Sequence, residues 1–268
     1  MSQLKEDHAL LIEIVREGGA LALSYFHSSV KHWDKGYGDP VSEADHAVDD
    51  LLRQKLLDHR PQYGWLSEET EDDPKRLGCH DVWVVDPIDG TRAFIQQRAE
   101  FTVCAALVRD GRPVAAAVYN PAKQEFFDAV QGGGARLNGE SIQVTSIQDF
   151  EGARLLTGQN LFKNAGPLHK PADVTIHMVN SIAYRMCLVA GGRYDACISL
   201  SGKSDWDIAA AELILTEAGG VNTSSHGQNF VYNRSDPRHK SVISAGPALH
   251  AHVLEFLGTI KRPPGAKW

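Results

Sequence analysis

The spacing of apolar residues near the start of the chain predicts two amphipathic helices. From about Glu6 to Phe26, apolar side chains recur at helical intervals, and Gly18-Gly19 weakens only the middle of the stretch. A second apolar stripe follows Ser42, a residue type favoured as an N-cap, and ends before Pro61. Asp45 then falls in the first turn of the second helix, where its carboxylate could simply complement the helix dipole.

The middle of the chain has a pattern typical of strands joined by tight turns. Two short apolar runs, Gly64–Leu66 and Val82–Val85, have the length and composition of buried strands. Further along, the turn sequence Asp110-Gly111 between two apolar runs strongly indicates a hairpin. The three strands of the resulting antiparallel meander are predicted at Phe101–Val108, Pro113–Tyr119 and Glu125–Val130.

Beyond about Val144 the pattern changes to strands alternating with helices. Strands are predicted at Leu155–Thr157, Thr175–Val179, Tyr194–Leu200 and Val242–Ala245. Helices are predicted at Ile182–Ala190, Asp207–Ala218 and Pro247–Leu257. The change of pattern indicates an N-terminal half at residues 1–145 and a C-terminal half at residues 146–268, which we expect to pack as one unit.

Composition and charge argue against several classes of function. The 268 residues are 43% hydrophobic and 23% charged, which is typical of a soluble globular protein. The net charge of −7 argues against a nucleic-acid partner, because phosphate backbones attract basic surfaces. No stretch approaches the ~20 apolar residues of a membrane helix, and the polar N-terminus lacks the apolar core of a signal peptide. Four cysteines without C-x-x-C or zinc-like spacing indicate reduced thiols, so we expect a cytoplasmic protein.

The most informative motif follows the strand at Val82–Val85 and reads Asp86-Pro87-Ile88-Asp89-Gly90-Thr91. Because proline and glycine interrupt the strand, the two carboxylates lie at its C-terminal end and in the turn beyond it. Thr91 stands where a helix could begin, and the free N–H groups of a helix start suit a phosphate oxygen. The alternative is an ordinary turn whose Asp residues cap or solubilise a loop, and this motif alone does not decide between the two.

Two further acidic positions lie at the ends of predicted elements. Glu68, in the pair Glu68-Glu69, follows a short strand, and Asp207 opens a helix. Each has a simple structural interpretation, as a solvated loop acid or a helix-start acid. Together with Asp86 and Asp89 they make four carboxylates. Packed together, the four would repel one another strongly, so some would stay protonated. Two or three Mg²⁺ ions would remove this conflict and would bind an anionic substrate.

The segment Gly202-Lys203-Ser204 does not meet the requirements of a Walker A loop. That motif needs a glycine at position 197, which is Cys197, and a helix that begins directly after the serine. The first condition fails because position 197 is a cysteine. We expect the second to fail as well, because the helical pattern is predicted only from Asp207. A phosphotransferase that uses ATP is therefore not favoured.

Together the motifs resemble the inositol monophosphatase family. The resemblance rests on Asp86 to Thr91, the Glu-Glu pair upstream, and Trp206-Asp207 ahead of a helix that ends in Glu217-Ala218-Gly219-Gly220. It covers nearly the whole chain in the same order. Members are Mg²⁺-dependent, typically lithium-sensitive phosphomonoesterases and are commonly dimers, so the resemblance implies a homodimer. It also implies an α/β layered sandwich of αβαβα type, with an antiparallel meander in the N-terminal half, which carries most of the metal ligands.

The resemblance implies specific metal ligands. One Mg²⁺ would be held by Glu68, Asp86 and the backbone carbonyl of Ile88. A second would be held by Asp86, Asp89 and Asp207, and Glu68 could share a weaker third ion.

The resemblance also implies catalytic roles for Thr91, Asp45 and Glu68. Thr91, hydrogen-bonded to Asp45, would orient a metal-activated water for in-line attack on phosphorus. The N–H groups of Gly90 and Thr91 would hold phosphate oxygens, which agrees with the helix-start argument above.

The substrate implied is a small phosphorylated metabolite, with inositol-1-phosphate-like monoesters first. The alternatives within the family are 3′(2′),5′-bisphosphate nucleotidase, histidinol phosphatase and sugar-bisphosphatase activity. Ser181, Arg185 and Lys203 are the candidate substrate contacts. Lys203 could pair with a second phosphate or be a solvated loop lysine, and Arg185 could be a surface charge. Outside enzymes, the alternative is a regulator that binds metal and phosphate without turnover.

Overall fold

The computed structural model describes residues 3–36, 40–158, 161–162 and 173–259. Within these ranges the helices are α1 (Gln3–Phe26), α2 (Glu43–His59), α3 (Thr91–Ile95), α4 (Ile182–Ala190), α5 (Asp205–Glu217) and α6 (Pro247–Thr259). Across the same residues, no helix combines the length and the apolar character needed to cross a membrane.

The larger sheet forms from strands that follow one another along the chain. A small antiparallel pair precedes it, β1 (His32–Asp34) with β2 (Pro40–Ser42). The sheet itself runs in sequence order through β3 (Gly64–Ser67), β4 (Asp81–Asp89), β5 (Thr102–Arg109), β6 (Arg112–Asn120), β7 (Glu125–Val130), β8 (Ala135–Leu137) and β9 (Glu140–Ser141). Only the β3–β4 pair is parallel. The predicted meander is therefore confirmed, and its hairpin turns at Asp110 and Gly111, which both adopt positive φ as a tight two-residue turn requires.

The second sheet is mixed and belongs to the later part of the chain. Its strands, in spatial order, are β11 (Thr175–His177), β10 (Arg154–Thr157), β12 (Ala196–Ser199), β16 (Val242–Ala245) and β14 (Val221–Thr223). The first two pairs are parallel and the last two antiparallel. Two further short strands, β13 (Lys203–Ser204) and β15 (Arg238–His239), pair with each other. The four strands predicted for this region are confirmed, whereas β14 and β15 carry no pattern long enough to predict them.

Both faces of the larger sheet are buried, and helices cover each of them. Successive residues of a strand face opposite sides, so Trp83 and Val85 pack with α1 and α2 while Val82 and Val84 pack with α4 and α5. Leu156 of the second sheet contributes to the same core as α4 and α5, and α6 packs on the outer face of that sheet. The layers run helix, sheet, helix, sheet, helix, which confirms the predicted αβαβα sandwich.

Helix α5 lies at the centre of this arrangement. Every residue from Ile208 to Leu215 is buried, because one side of the helix meets the larger sheet and another meets α4. A helical stretch that is buried on every side and apolar except for Glu212 is typical of such an interior position. Since α5 follows residue 145 yet packs on β4, β5, β6 and β7, the two predicted halves meet along it. The division at residues 145 and 146 itself stays a prediction.

The glycine pair in α1 has a packing role. Gly18 and Gly19 are both buried, and α1 lies against the larger sheet at this point. A Cβ on Gly19 would lie 2.2 Å from the Tyr119 ring, so only glycine lets the helix approach. A Cβ on Gly18 would make ordinary contacts of 3.5 Å with Leu52 and Val103.

We expect Gly18→Ala and Gly19→Ala to change stability in opposite directions. Alanine favours a helix interior over glycine by about 1 kcal/mol, so Gly18→Ala should raise the free energy of unfolding by up to about that amount. Gly19→Ala gains the same helix preference but forces Tyr119 to move, and we expect a net loss of about 1–2 kcal/mol. Denaturant unfolding of the two variants beside the wild type measures both changes. Equal effects at the two positions would contradict the assigned packing.

Candidate active site

Asp86 and Asp89 are positioned by an irregularity at the end of β4. Asp86 pairs with Cys104 and Asp89 with Thr102, so two residues of β4 stand opposite a single residue of β5. Pro87, which has no N–H to donate, occupies this bulge together with Ile88. The two acids are 1% and 7% exposed, so the strand delivers both carboxylates into the interior.

Asp207 completes a cluster of three carboxylates. One oxygen each from Asp86, Asp89 and Asp207 lies within 4.8 Å of the others. Asp207 is held by a capping box, in which its carboxylate accepts a hydrogen bond of 2.5 Å from the backbone N–H of Ser204. The start of α5 thus brings an acid from the later part of the chain to the end of β4.

Of the three clustered acids, Asp86 is the one whose carboxylate receives no hydrogen bond from the described residues. Both of its carboxylate oxygens are buried, and no hydrogen-bond donor of the described chain reaches either one. Burial, followed by the neighbouring charges of Glu68, Asp89 and Asp207, raises its pKa well above the usual range. Buried polar atoms are normally satisfied, and clustered carboxylate oxygens are the ligands that hard divalent cations prefer. The donor set therefore fits a metal such as Mg²⁺.

Asp89 is oriented by the start of α4. Its Oδ2 accepts hydrogen bonds from Ser181 Oγ at 2.6 Å and from the Ala183 N–H at 2.7 Å. Ser181 is the N-cap of α4, with a positive φ of 62°, and its Oγ also accepts a bond from the Tyr184 N–H. Ser181 was predicted as a substrate contact. The structure places it on the cavity wall with its hydroxyl committed to Asp89, so its contact with a substrate stays a prediction.

Glu68 lines the same cavity, outside the cluster of three, and pairs with a lysine from the β1–β2 region. Lys35 Nζ lies 3.0 Å from Glu68 Oε1 and 2.8 Å from Glu69 Oε1. Burial raises the pKa of Glu68 to about 8, the positive charge of Lys35 opposes this rise, and the negative charge of Asp207 adds to it. Sequence reasoning missed Lys35, because a lysine in a polar stretch 33 residues before its partner gives no signal.

Asp45 and Thr91 form the hydrogen-bonded pair that the resemblance implies. Thr91 Oγ1 lies 3.0 Å from Asp45 Oδ1 and 3.1 Å from the Ile88 carbonyl oxygen. Asp45 Oδ2 accepts bonds from the N–H and the hydroxyl of Ser42, which makes it part of the cap of α2. Burial raises the pKa of Asp45 to about 6. Asp45 therefore does more than complement a dipole, since it also fixes where the Thr91 hydroxyl points.

Gly90 allows the chain to turn from β4 into α3. Its φ is +100°, and a Cβ there would lie 2.8 Å from the Glu100 carbonyl oxygen, so only glycine fits. Thr91 begins α3 directly afterwards, as predicted. Both residues face the cavity, and their contacts with phosphate stay predictions.

A cavity of about 970 Å³ is lined by Glu68, Asp86, Asp89 and Asp207, and basic and hydroxyl-bearing side chains line it as well. Lys203 Nζ lies 3.0 Å from the Gly202 carbonyl oxygen, and Arg185 Nε lies 3.4 Å from the Ser181 carbonyl oxygen. Both side chains line the cavity, which places two of the predicted substrate contacts beside the acids. The remaining lining residues are Pro40, Arg92, Thr157, Gly158, Leu161, Met178, Val179, Asn180, Ile182, Ile198, Ser199, Leu200 and Ser201.

One sequence-based expectation, about the segment Gly202-Lys203-Ser204, is wrong. We expected no helix directly after Ser204, but α5 begins at Asp205 with Ser204 as its N-cap. The apolar pattern starts only at Ile208, so the polar first turn was not counted as helix. The Walker A interpretation still fails, because position 197 is a cysteine inside β12.

Comparison with known proteins agrees with this geometry. The model of the inositol monophosphatase family matches residues 3–261. An inositol monophosphatase of Dictyostelium discoideum is 32% identical over 264 residues, which covers 94% of each chain. A 3′(2′),5′-bisphosphate nucleotidase CysQ of Aggregatibacter actinomycetemcomitans is also 32% identical, covering 84% of this chain and 87% of that protein.

Solved structures show the same fold. An inositol monophosphatase from Zymomonas mobilis superposes with a TM-score of 0.78 at 28% identity, over 96% of this chain and 100% of the other. The family is one of metal-dependent phosphatases, which is the chemistry that the clustered acids fit. The chain therefore belongs to the inositol monophosphatase family.

Proposed function

We propose that this protein is a Mg²⁺-dependent phosphatase that hydrolyses a small phosphomonoester of the inositol-1-phosphate type. The observation that carries the proposal is Asp86, a carboxylate buried without a donor among the described residues beside Asp89 and Asp207. A cation would both satisfy it and attract a phosphate towards the clustered acids. A dimeric state and a cytoplasmic location stay predictions.

The metal would be held by side chains that the fold already orients. Asp86, Asp89 and Asp207 would ligate one Mg²⁺, while Asp86 with Glu68 and the Ile88 carbonyl would ligate a second. A weaker third ion would share Glu68. When bound, the ions would neutralise phosphate charge and lower the pKa of the attacking water. Lys35 would have to share or release Glu68 as the second ion enters.

Thr91 and Asp45 would direct the attacking water. Because the Thr91 hydroxyl hydrogen faces Asp45 and the Ile88 carbonyl, Thr91 Oγ1 keeps a lone pair with which to accept a hydrogen bond from water. Ser42 fixes Asp45 through two hydrogen bonds, so the acceptor geometry is set before substrate binds. The N–H groups of Gly90 and Thr91 would hold phosphate oxygens, so that the bond from phosphorus to the leaving oxygen points away from that water.

The side chains that line the cavity suit the proposed inositol-phosphate substrate, and they also suit one alternative substrate, a bisphosphate. Hydroxyl and amide groups at Ser199, Ser201 and Asn180 suit a polyhydroxylated substrate such as an inositol phosphate. Lys203 and Arg185 line the same space, as does Arg92, and these cationic groups favour a second candidate, a bisphosphate substrate. The similarity to a bisphosphate nucleotidase supports that second candidate.

Phosphate release from a substrate panel tests the proposal. The panel holds inositol 1-phosphate, adenosine 3′,5′-bisphosphate, fructose 1,6-bisphosphate and histidinol phosphate, each with Mg²⁺, with EDTA, and with Mg²⁺ plus lithium. We expect Mg²⁺-dependent release with inositol 1-phosphate preferred. A preference for a bisphosphate that Lys203→Met lowers by about tenfold or more would establish the second candidate. Mg²⁺ binding without release from any substrate would favour the non-catalytic regulator.

Glu68 and Glu69 offer a matched pair of variants. Both carboxylates contact Lys35, but only Glu68 lines the cavity. We expect Glu68→Gln to raise the half-saturating Mg²⁺ concentration about tenfold or more, because it removes a ligand charge, and to lower kcat. Glu69→Gln loses the same lysine contact and should stay within about threefold of the wild type. If Glu69→Gln were the more damaging change, the ligand would be assigned one residue out of register.

The raised pKa values predict how Mg²⁺ stabilisation depends on pH. Glu68 titrates near 8 in the metal-free protein against 4.5 for a free glutamate, so the folded state holds its proton over that range. The contribution of this bound proton to the free energy of unfolding is fully present below about pH 4.5. It is lost as the pH rises towards 8. The Tm in EDTA should therefore fall by about 5 °C or more across that window. Because Mg²⁺ binds the ionised form, the rise in Tm on adding it should grow with pH.

Thermal unfolding in EDTA and in saturating Mg²⁺ measures both effects. The control is Glu68→Gln, which removes one titrating group and should make the decline seen in EDTA shallower, while the raised pKa values of Asp86 and Asp89 keep part of it. A Mg²⁺ shift that stays constant from acid to neutral pH would contradict this prediction.

A further inference from the structure

A buried polar network holds the first turn of α5. Asp205 is the first residue of that helix, stands two residues before Asp207, and is fully buried. Its Oδ1 lies 2.7 Å from His239 Nε2, and its Oδ2 accepts a 2.8 Å bond from the Asn233 N–H. Its own N–H donates to the Pro237 carbonyl at 2.9 Å. Both carboxylate oxygens are therefore used inside the protein, which excludes Asp205 as a ligand in the cavity.

The network continues from Asn233 to the segment that follows Glu68. Arg76 Nη1 donates to Asn233 Oδ1 at 2.7 Å, and Asn233 Nδ2 donates back to the Arg76 carbonyl at 3.2 Å. Arg76 is 2% exposed and also forms a two-point ion pair with Asp72, four residues after Glu68. A buried guanidinium with paired, directional bonds fixes position more strictly than an apolar contact does.

The contacts join two elements that each carry a proposed metal ligand. The four residues of this anchor network are Asp205, His239, Asn233 and Arg76. At one end the network holds the turn of α5 that carries Asp207, and at the other it holds the 3₁₀ turn Pro74–Gly78 beyond Glu68. None of the four lines the active-site cavity as far as the structure describes it. They would therefore act on the site from outside the cavity, by holding the backbone of the elements that carry Asp207 and Glu68.

We propose that the anchor network sets the separation between Asp207 and Glu68 and thereby the affinity of the metal centre. Its members are positioning residues, and the inference rests on the proposed function of the cavity. A ligand displaced by a fraction of an ångström loses metal affinity, since coordination distances and angles are narrow for Mg²⁺. Asp205 and Arg76 are both buried and are satisfied by separate partners, His239 and Asp72, so each is held by directional bonds that offset its cost of desolvation.

The first test removes the His239 contact. His239→Leu keeps apolar volume against Phe230 and Tyr232 but leaves Asp205 without its imidazole donor. We expect the dissociation constant for Mg²⁺ or Mn²⁺, measured by calorimetry without substrate, to rise about tenfold. His239→Gln, whose amide can reach the same oxygen, should restore most of the affinity.

The matched control is a second buried histidine. His250 is 5% exposed, against 8% for His239, and its Nε2 contacts Thr223 in the second sheet. His250→Leu should lower Tm by an amount similar to His239→Leu while leaving the metal dissociation constant within about twofold. The comparison separates a general loss of stability from a change at the metal centre.

A second variant removes the two amide contacts between Asn233 and Arg76, while the bond from Arg76 Nη2 to the Arg234 carbonyl remains. Asn233 has a φ of +55°, so Asn233→Gly preserves the backbone conformation and the N–H bond to Asp205 while deleting both amide contacts to Arg76. We expect metal affinity to fall about threefold to tenfold, with the KM for substrate at saturating metal unchanged.

The outcomes distinguish this inference from the proposed function. Wild-type metal affinity in both His239→Leu and Asn233→Gly, beside a wild type that binds metal and releases phosphate, would overturn the inference and leave the function intact. A loss of affinity in His250→Leu equal to that in His239→Leu would also overturn it. A wild type that binds no metal would overturn both.

Discussion

Repulsion between buried carboxylates is the constraint around which this fold is built. The fold opposes it with donors at three of the acids, since Asp89 is held by Ser181 and Ala183, Asp207 by Ser204, and Asp45 by Ser42 and Thr91. Each donor fixes an oxygen without cancelling the charge. Asp86 receives no such donor from the described chain, and burial together with the neighbouring negative charges raises its pKa well above the usual range. The protein thus supplies the orientation and leaves the charge to be compensated by a cation.

The same local chemistry starts four helices and builds the site. Asp45 belongs to the cap of α2, Thr91 opens α3, Ser181 caps α4, and Asp207 completes the capping box of α5. Thr91, Ser181 and Asp207 line the cavity, so α3, α4 and α5 begin beside it, and Asp45 joins the start of α2 to Thr91. A change at one of these positions would alter a helix start and a site residue together. This coupling explains why capping residues, which usually serve stability alone, here are also the groups that orient the ligands.

Features encoded by neighbouring residues could be predicted, and features that join distant segments could not. The strand before Asp86, the cap at Ser42 and the Asp110-Gly111 turn follow from local patterns, and the structure confirms them. The contact of Lys35 with Glu68 and that of Arg76 with Asn233 span 33 and 157 residues, and neither has a local signature. The resemblance to a family supplied the grouping of the acids, because periodicity alone cannot say which strand ends meet.

Helix α5 shows why the site cannot be assigned to either half of the chain. At its far end Glu217, an acid in a last turn where the dipole disfavours it, accepts bonds from the N–H groups of Gly132 and Gly134 at 2.8 and 2.9 Å. The helix is therefore held at this end by the turn that follows β7 and at the other end by the bonds of Asp205 to His239, Asn233 and Pro237. With both ends held and its middle buried, α5 has little freedom to slide along β4. Asp207 thus belongs by sequence to the later part of the chain but is positioned by the earlier sheet, and the cluster with Asp86 exists only when the two are packed together.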